Sequence, residues 1–226
     1  MVRLLFIGIL FSLIFQGCMW RDWNIPPRRS TVTDNRDGNQ YEIFRIGSQV
    51  WFKENLRYKG DFFDGTNPDD WYQSWRLKRA TFSYPEGNEQ LQTDQGLVYN
   101  WYAVASDKIC PPGWRVPNNS DWDELTEYLG GRLVAGGKMK TVEGWAEPNV
   151  GGTNESGFSA IPVSFRDAVG NFDTFFPNTR ASFWSVDEAD PAKDYVWLYS
   201  LFASGAGFGK IDNAKNSGIS CRCIKK

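Results

Sequence analysis

Three cysteines constrain the fold of this chain more than any other feature. Cys110 opens the turn Cys-Pro-Pro-Gly-Trp, and Cys221 and Cys223 lie close to the carboxyl end. Because proline fixes φ and glycine permits a sharp reversal, the turn is rigid. Cys221 and Cys223 alternate on a strand pattern, so their side chains point the same way and are poorly placed to bond each other. Either one can pair with Cys110, and the other is left as a free thiol. Such a bridge contributes about 4 to 5 kcal/mol in the chain-entropy model.

The amino terminus has the pattern of a secretory signal. Arg3 precedes a mainly apolar run over residues 4–15, which is shorter than the roughly 20 residues that a membrane-spanning helix needs. The Gly17-Cys18 junction that follows resembles the bacterial lipobox. We therefore expect residues 1–17 to be a signal peptide and Cys18 to carry lipid, since several acyl chains hold a protein stably on a bilayer. The expected location is the outer membrane, lipid-anchored and exposed at the cell surface.

The segment after Cys18 separates the anchor from the rest of the chain. Residues 18–35 contain Pro26, Pro27 and polar residues without a helical or strand period, so they are predicted to be a tether. Residues 36–226 are expected to form a single domain. An exported chain meets an oxidising compartment, where paired cysteines persist as disulfides.

Composition excludes several classes of function. The chain contains no histidine, so Ser-His-Asp and Cys-His nucleophiles and His-ligated zinc sites are excluded. The formal net charge is −2, which gives no reason to expect nucleic acid as a partner. Aromatic residues make up 16% of the chain and there are 22 glycines, which favours a packed core built from short strands and turns. We expect a non-catalytic protein without cofactor or metal.

Two parts of the secondary structure carry clear signals. Residues 41–46 and 49–52 read as the strands of a hairpin around the turn Gly47-Ser48. Asn118 and Asp121 have capping-box spacing ahead of a helix. Trp122, Leu125 and Leu129 give this helix one apolar stripe, and Gly130-Gly131 ends it.

The remaining elements are read from shorter patterns. Residues 96–105 are predicted to be a buried central strand and residues 135–141 a second short helix. The last strand, residues 218–224, is expected to place Ile219, Cys221 and Cys223 on one face and Ser220, Arg222 and Ile224 on the other. Further strands are predicted over residues 158–165, 171–176, 181–186 and 195–201.

An irregular segment, residues 58–95, is rich in aromatic side chains and turn residues. Long loops in compact domains are often functional, and loop aromatics suit sugar faces and protein partners. The predicted binding residues are Trp71, Tyr72 and Trp75, with Asp69 and Asp70 supplying polar contacts. The alternative is that these rings fill a small core beneath the loop.

Six ordered blocks resemble one family. They are YEIFRIGSQVWFKENLRY, GLVYNWYAV, ICPPGWRVPNNSDWDEL, SGFSAIPVSFRDAVGNF, FWSVDEAD and GISCRCIKK. Their order is similar to that of the Fibrobacter succinogenes major paralogous domain, over roughly residues 31–226. The resemblance implies that Cys223 occupies the position of the cysteine in the family's final strand. Cys110–Cys223 is therefore the expected disulfide, with Cys221 as a buried free thiol.

One of these blocks, ICPPGWRVPNNSDWDEL around Trp114, is similar to part of the C-type-lectin-like and formylglycine-generating-enzyme folds. This implies an α+β domain, C-type-lectin-like, with a twisted antiparallel sheet, one or two helices and long loops. The letters Glu147-Pro148-Asn149 match a motif of calcium-dependent lectins. Because no convincing Trp-Asn-Asp partner follows, we interpret the match as coincidence and predict no metal site.

Three functions fit these observations. The leading hypothesis is a non-catalytic surface module that binds glycan or protein, or an accessory subunit of an outer-membrane assembly. The second is an enzyme, either similar to formylglycine-generating enzymes or dependent on a carboxylate pair. The third is a structural subunit of a fimbrial or transport complex. The carboxylates available for the enzyme are Asp121, Asp123, Glu124, Asp167 and Asp187.

Overall fold

A computed structural model describes residues 30–226, which form two β-sheets with short helices packed against them. The five-stranded sheet has the order β1 (Ser30–Thr33), β2 (Gln40–Ile46), β3 (Gln49–Phe52), β12 (Ile224–Lys225) and β7 (Trp114–Arg115). The seven-stranded sheet has the order β10 (Phe208–Ala214), β9 (Tyr195–Phe202), β8 (Arg180–Asp190), β11 (Ile219–Ser220), β6 (Val98–Tyr99), β5 (Thr81–Ser83) and β4 (Phe63–Asp64). The pairs β4–β5 and β8–β11 are parallel, and the other strand pairs are antiparallel.

The helices are short, and the longest are α1 and α4. They are α1 (Pro68–Arg76), α2 (Gln92–Gln95), α3 (Trp101–Val104), α4 (Asn119–Tyr128) and α5 (Ala135–Met139), with 3₁₀ turns at Pro85–Gly87, Glu89–Leu91 and Pro191–Lys193. The expected α+β class is confirmed, although there are two sheets and more helical segments than the one or two predicted. Across residues 30–226, no helix has the length and apolarity to cross a bilayer.

The closing segment of the chain joins the two sheets. β11 pairs with β6 and β8 in one sheet, and β12 pairs with β3 and β7 in the other. Between these strands Cys223 is bonded to Cys110, with 5.9 Å between the Cα atoms, so the expected disulfide is present. The predicted strand 218–224 is thus two short strands separated by the disulfide region.

The predicted alternation of the closing segment is confirmed because each face packs on a different core cluster. Ile219, Cys221 and Cys223 lie in a cluster with residues of β3, β6 and the Cys110 turn. Ile224 lies in a second cluster with Trp51, Trp122, Phe158 and Phe183. The Arg222 guanidinium also points to this second side, 4.3 Å from the ring centroid of Phe158.

The two strongest sequence signals are confirmed. The hairpin is β2–β3, and Ile46 pairs with Gln49 across the turn. In α4 the Asn118 side chain accepts from the backbone N–H of Asp121 at 3.0 Å, and the Asp121 carboxylate accepts from that of Asn118 at 2.7 Å. The apolar stripe of α4 is buried in the second cluster, where the Trp122 and Tyr199 rings stack with centroids 5.4 Å apart.

Several predicted elements are wrong. The strand over residues 96–105 is limited to Val98–Tyr99, because Asn100 accepts from the Ala103 N–H and caps α3. Residues 158–165 and 171–176 form isolated bridges instead of strands. At the amino end, Ser30–Thr33 pair with β2, so the fold begins inside the predicted tether. The predicted signal peptide, Cys18 and residues 19–29 of the predicted tether lie outside the described residues.

Residues 140–179, here called the excursion, connect α5 to β8 with little regular structure. Three buried cations hold it in place through backbone oxygens, and one of them, Arg222, donates to the carbonyls of Phe158 and Ser159. The Lys140 ammonium donates to the carbonyls of Val150, Phe202 and Gly205 at 2.9 to 3.0 Å. Arg166 donates to the carbonyls of Gly65, Thr66 and Gly170. These bonds replace the ladder hydrogen bonds that a strand would have supplied.

Candidate functional site

Helix α1 carries most of the residues predicted to bind ligand. The Asn67 side chain accepts from the Asp69 N–H at 2.8 Å, and Pro68 occupies the first turn, so the helix starts here for two local reasons. Tyr72 and Trp75 lie one turn apart on the outside, with ring centroids 5.6 Å apart. Asp69 and Asp70 are exposed in the first turn. These four residues form a ridge on the protein surface.

Trp71 does not belong to this ridge, which corrects its predicted role. Its side chain is 1% exposed. The indole N–H donates to the Asn216 carbonyl at 2.9 Å, and the Arg166 guanidinium lies 4.5 Å from the ring centroid. Trp71 attaches α1 to the rest of the domain. This agrees, for Trp71, with the alternative that rings of this segment fill a small core beneath the loop. The Trp71 ring faces are covered and cannot stack on a ligand.

A second surface lies where the excursion meets the end of β9. It is a concave groove of about 360 Å³, here called the Phe202 groove. The lining residues are Glu147, Pro148, Asp173, Phe176, Thr179, Arg180, Phe202, Ala203 and Ser204. They come from three separate segments of the sequence, and none of them was predicted as a site residue.

The base of the Phe202 groove is held together by backbone hydrogen bonds. The Val150 N–H donates to the Ala203 carbonyl at 2.8 Å, and the Ala203 N–H donates to the Thr179 carbonyl at 2.8 Å. Lys140 adds a charged connection, because its ammonium binds carbonyls from both the excursion and the β9–β10 turn. Burial lowers the pKa of Lys140. The groove is therefore preorganised, which reduces the entropy lost on binding.

The walls of the Phe202 groove are largely apolar. Phe176 is 70% exposed and Phe202 is 38% exposed, and Pro148 is also at the surface. The neighbouring Phe175 is 89% exposed but does not line the groove. Apolar side chains that are exposed together and rimmed by polar residues are a mark of an interaction site.

Charged groups of both signs line the same groove. Arg180 pairs with Phe202 across β8 and β9, and its guanidinium carbon lies 4.4 Å from the Phe165 ring centroid. The Nη2 atom of Arg180 is buried and has no hydrogen-bond partner within residues 30–226. Burial lowers the pKa of Arg180, and the charge of Asp173 opposes that shift. Asp173 and Glu147 are exposed at the rim.

An adjoining cavity extends the Phe202 groove. It measures about 380 Å³ and shares Phe202 and Ser204 with the groove. Gly205 and Gly209 are part of its lining, and a Cβ added at either position would meet no atom closer than 3.9 Å. The fold itself does not require glycine there, whereas a Cβ at Gly136 would lie 2.0 Å from a carbonyl oxygen.

Another cavity, of about 550 Å³, lies beside the disulfide and is lined in part by Cys110, Trp114, Arg115 and Lys226. Its chemistry is limited. Arg115 is paired with the Asp121 carboxylate of α4, and Cys110 is bonded to Cys223. The sulfurs of Cys110, Cys221 and Cys223 lie within 4.8 Å of one another, which is the single cluster of this kind found in residues 30–226. Burial strongly raises the pKa of the free Cys221 thiol, so it is a poor nucleophile and a poor ligand.

The acidic residues considered for an enzyme have separate structural partners. Asp121 caps α4, Asp123 pairs with Arg132 at 3.0 Å, and Glu124 accepts from the Ser48 hydroxyl. Asp167 accepts from the backbone N–H groups of Val169 and Asn171, and Asp187 accepts from that of Asn119 at 2.8 Å. Each carboxylate is engaged by a different local partner.

The segment Glu147-Pro148-Asn149 lies at the edge of the Phe202 groove. The Asn149 amide nitrogen donates to the carbonyls of Thr141 at 3.1 Å and Val142 at 2.9 Å. Asn149 is thus used to close a turn of the excursion, while Glu147 and Pro148 face the groove.

Comparison with known families agrees with the sequence blocks. A family model described as the Fibrobacter succinogenes major domain matches residues 44–225. This range includes the Cys110–Cys223 disulfide, α4, the excursion and the whole lining of the Phe202 groove. Searches of the curated proteins and of the solved structures gave no significant match. The match covers most of the chain, and the protein belongs to the Fibrobacter succinogenes major domain family.

Proposed function

We propose that this protein is a non-catalytic binding or accessory module, lipid-anchored through Cys18 at the outer membrane and exposed at the cell surface. The observation that carries the proposal is the Phe202 groove. It combines exposed Phe176 and Phe202 rings with the charged side chains of Arg180, Asp173 and Glu147, over a base fixed by backbone hydrogen bonds. Apolar walls with a few polar groups that converge are the usual composition of a binding site.

The absence of catalysis is part of the proposal. The sequence has no histidine to act as a general base or metal ligand. The one free thiol in residues 30–226, Cys221, is completely buried. A chain that binds and does not turn over its ligand needs neither group.

The proposed anchoring follows from the leader and Cys18. The partners we propose are the membrane, through lipid on Cys18, and a glycan or a protein of an outer-membrane assembly. We also propose that the fold is C-type-lectin-like. Its support is the disulfide from the turn ahead of α4 to the closing segment, together with the long excursion that supplies the groove.

A structural subunit of a fimbrial or transport complex is the second candidate. The observation that favours it is apolar surface outside the Phe202 groove. Phe175 is 89% exposed and Leu133 is 86% exposed, which is more than a small ligand in the groove would cover. Burial of such side chains against another subunit would be favourable at about 25 cal/mol per Å².

The test is capture of partners by the full-length lipoprotein from detergent-solubilised membranes of its own host. Phe176→Ala and Phe202→Ala change the groove, Trp75→Ala changes the α1 ridge, and Phe175→Ala is the matched control. We expect the two groove variants to lose the partner and the other two to keep it. Loss in Trp75→Ala with retention in both groove variants would move the site to α1 and contradict the proposal.

A further inference from the structure

We infer that the Phe202 groove takes a neutral saccharide, which deepens the proposed function and rests on it. The inference starts from the polar groups of the groove. Arg180 lines the groove as a cation, and Asp173 and Glu147 present exposed carboxylates at its rim. A sugar hydroxyl donates and accepts at the same time, so neighbouring hydroxyls satisfy a guanidinium and a carboxylate together.

The balance of charge argues for a neutral ligand. Of the groove's lining residues, Arg180 is the one cation, and Asp173 and Glu147 are the two acids. A phosphate or a uronic acid would bring further negative charge beside these carboxylates and would be repelled. Uncharged hydroxyls meet both signs of charge without this penalty.

The apolar walls of the groove suit the less polar face of a sugar ring. Phe176 and Phe202 expose their rings at the groove, and Pro148 adds an apolar edge. Aromatic faces carry partial negative charge and attract the C–H groups on the less polar face of a pyranose ring. The volume of about 360 Å³ lies within the usual range for small-ligand sites.

The adjoining cavity has room for a second residue of a longer saccharide. It shares Phe202 and Ser204 with the groove and measures about 380 Å³. Gly205 and Gly209 leave space there that the fold does not use. The ligand class is therefore a neutral oligosaccharide, with one residue in the groove and the next over Gly205.

The experiment is saturation-transfer difference NMR on the full chain in detergent micelles. The probes are methyl glycosides of glucose, galactose, mannose and N-acetylglucosamine, their β-linked and α-linked disaccharides, and glucuronic acid as the charged comparison. We expect at least one neutral probe to receive saturation and a disaccharide to bind more tightly than its monosaccharide. Phe176→Ala should weaken binding by about five- to tenfold, the cost of losing one aromatic contact. Phe175→Ala should leave it unchanged.

The outcomes separate this inference from the proposed function. If no neutral probe binds, or if glucuronic acid binds more tightly than its neutral counterpart glucose, the saccharide inference is wrong. Capture of a protein partner that is lost in Phe176→Ala would then still support the proposed function. If neither sugars nor captured partners respond to Phe176→Ala or to Phe202→Ala, the saccharide inference and the proposed function are both wrong.

The extension over Gly205 is tested by a blocking variant. Gly205→Trp should reduce disaccharide binding to the level of the monosaccharide, and no change would contradict the extension.

Discussion

The disulfide region and the excursion are stabilised in different ways, and the difference explains their roles. In the disulfide region, a covalent bond and strict alternation fix the positions of Cys110, Cys221 and Cys223, and the side chains are fully packed. In the excursion, backbone carbonyls are held by Lys140 and Arg166, and aromatic rings remain in water at the Phe202 groove. The first region holds two sheets together, and the second leaves aromatic and charged side chains exposed at the surface. A rigid scaffold with irregular segments that carry function is a common division in proteins.

The largest effect should come from removing every route to the disulfide. Cys110→Ala leaves no partner for either remaining cysteine, and it should lower the free energy of unfolding by about 4 kcal/mol. Cys223→Ala should cost less, because the Cys221 sulfur lies within 4.8 Å of Cys110 and takes over the bond. Urea unfolding measures both values, and peptide mapping identifies the new bridge. Equal losses in the two variants, with Cys110 reduced in Cys223→Ala, would contradict this expectation.

The next effect tests the excursion. Lys140→Met removes the cation from three buried carbonyls and should lower the free energy of unfolding by about 3 kcal/mol. Lys138→Met, two residues away in α5, is the matched control, since its ion pair with Glu155 is on the surface and worth at most about 1 kcal/mol. Urea unfolding gives both numbers. If Lys138→Met and Lys140→Met cost the same, the excursion is not held by this ammonium.

A smaller effect should appear at high pH and belong to the disulfide region. Burial raises the pKa of Cys221 above its usual 9.0 and the pKa values of Tyr41 and Tyr99 above their usual 10.0. The unfolded chain therefore releases protons above pH 9 that the folded chain retains. The stability is complete below pH 9 and falls as pH rises, by up to about 1.4 kcal/mol per pH unit for each group.

The contribution of the thiol can be isolated by substitution. Cys221→Ala should start to lose stability about one pH unit later than the natural chain, when tyrosine ionisation begins. Thermal unfolding at pH values from 8 to 11 measures the onset. An onset that is unchanged in Cys221→Ala would show that the buried thiol does not couple to folding.

The same contrast explains what could be predicted from the sequence. The capping box at Asn118, the β2–β3 hairpin and the alternation from Ile219 to Ile224 depend on neighbours in the chain, and all three were predicted correctly. Local pattern also misled: Phe158 and Phe172 lie in segments that resemble strands but are held by Arg222 and Arg166. Local sequence patterns do not predict which backbone carbonyls these arginines bind.

The candidate site was partly accessible from the sequence. Tyr72, Trp75, Asp69 and Asp70 were predicted to bind ligand, and they have the exposure that binding requires, whereas Trp71 is buried by a contact to Asn216, which lies far away in the chain. One feature of the Phe202 groove was visible in the sequence, the pair Phe175-Phe176 between Thr174 and Pro177, and it was interpreted as the end of a strand. The other walls of the groove come from residues about 30 positions away on either side, and only the assembled fold brings them together.

The most direct test of the account is photo-cross-linking at the surface of the host cell. Benzoylphenylalanine replaces Phe176, Phe175 or Trp75 in the full-length lipoprotein, and each chain is irradiated in place. Benzophenone inserts into nearby C–H bonds, so the method detects sugars and proteins alike. The account predicts an adduct from position 176 at several times the yield from 175 and from 75. Equal yields at the three positions, or the highest yield at 75, would contradict the assignment of binding to the Phe202 groove.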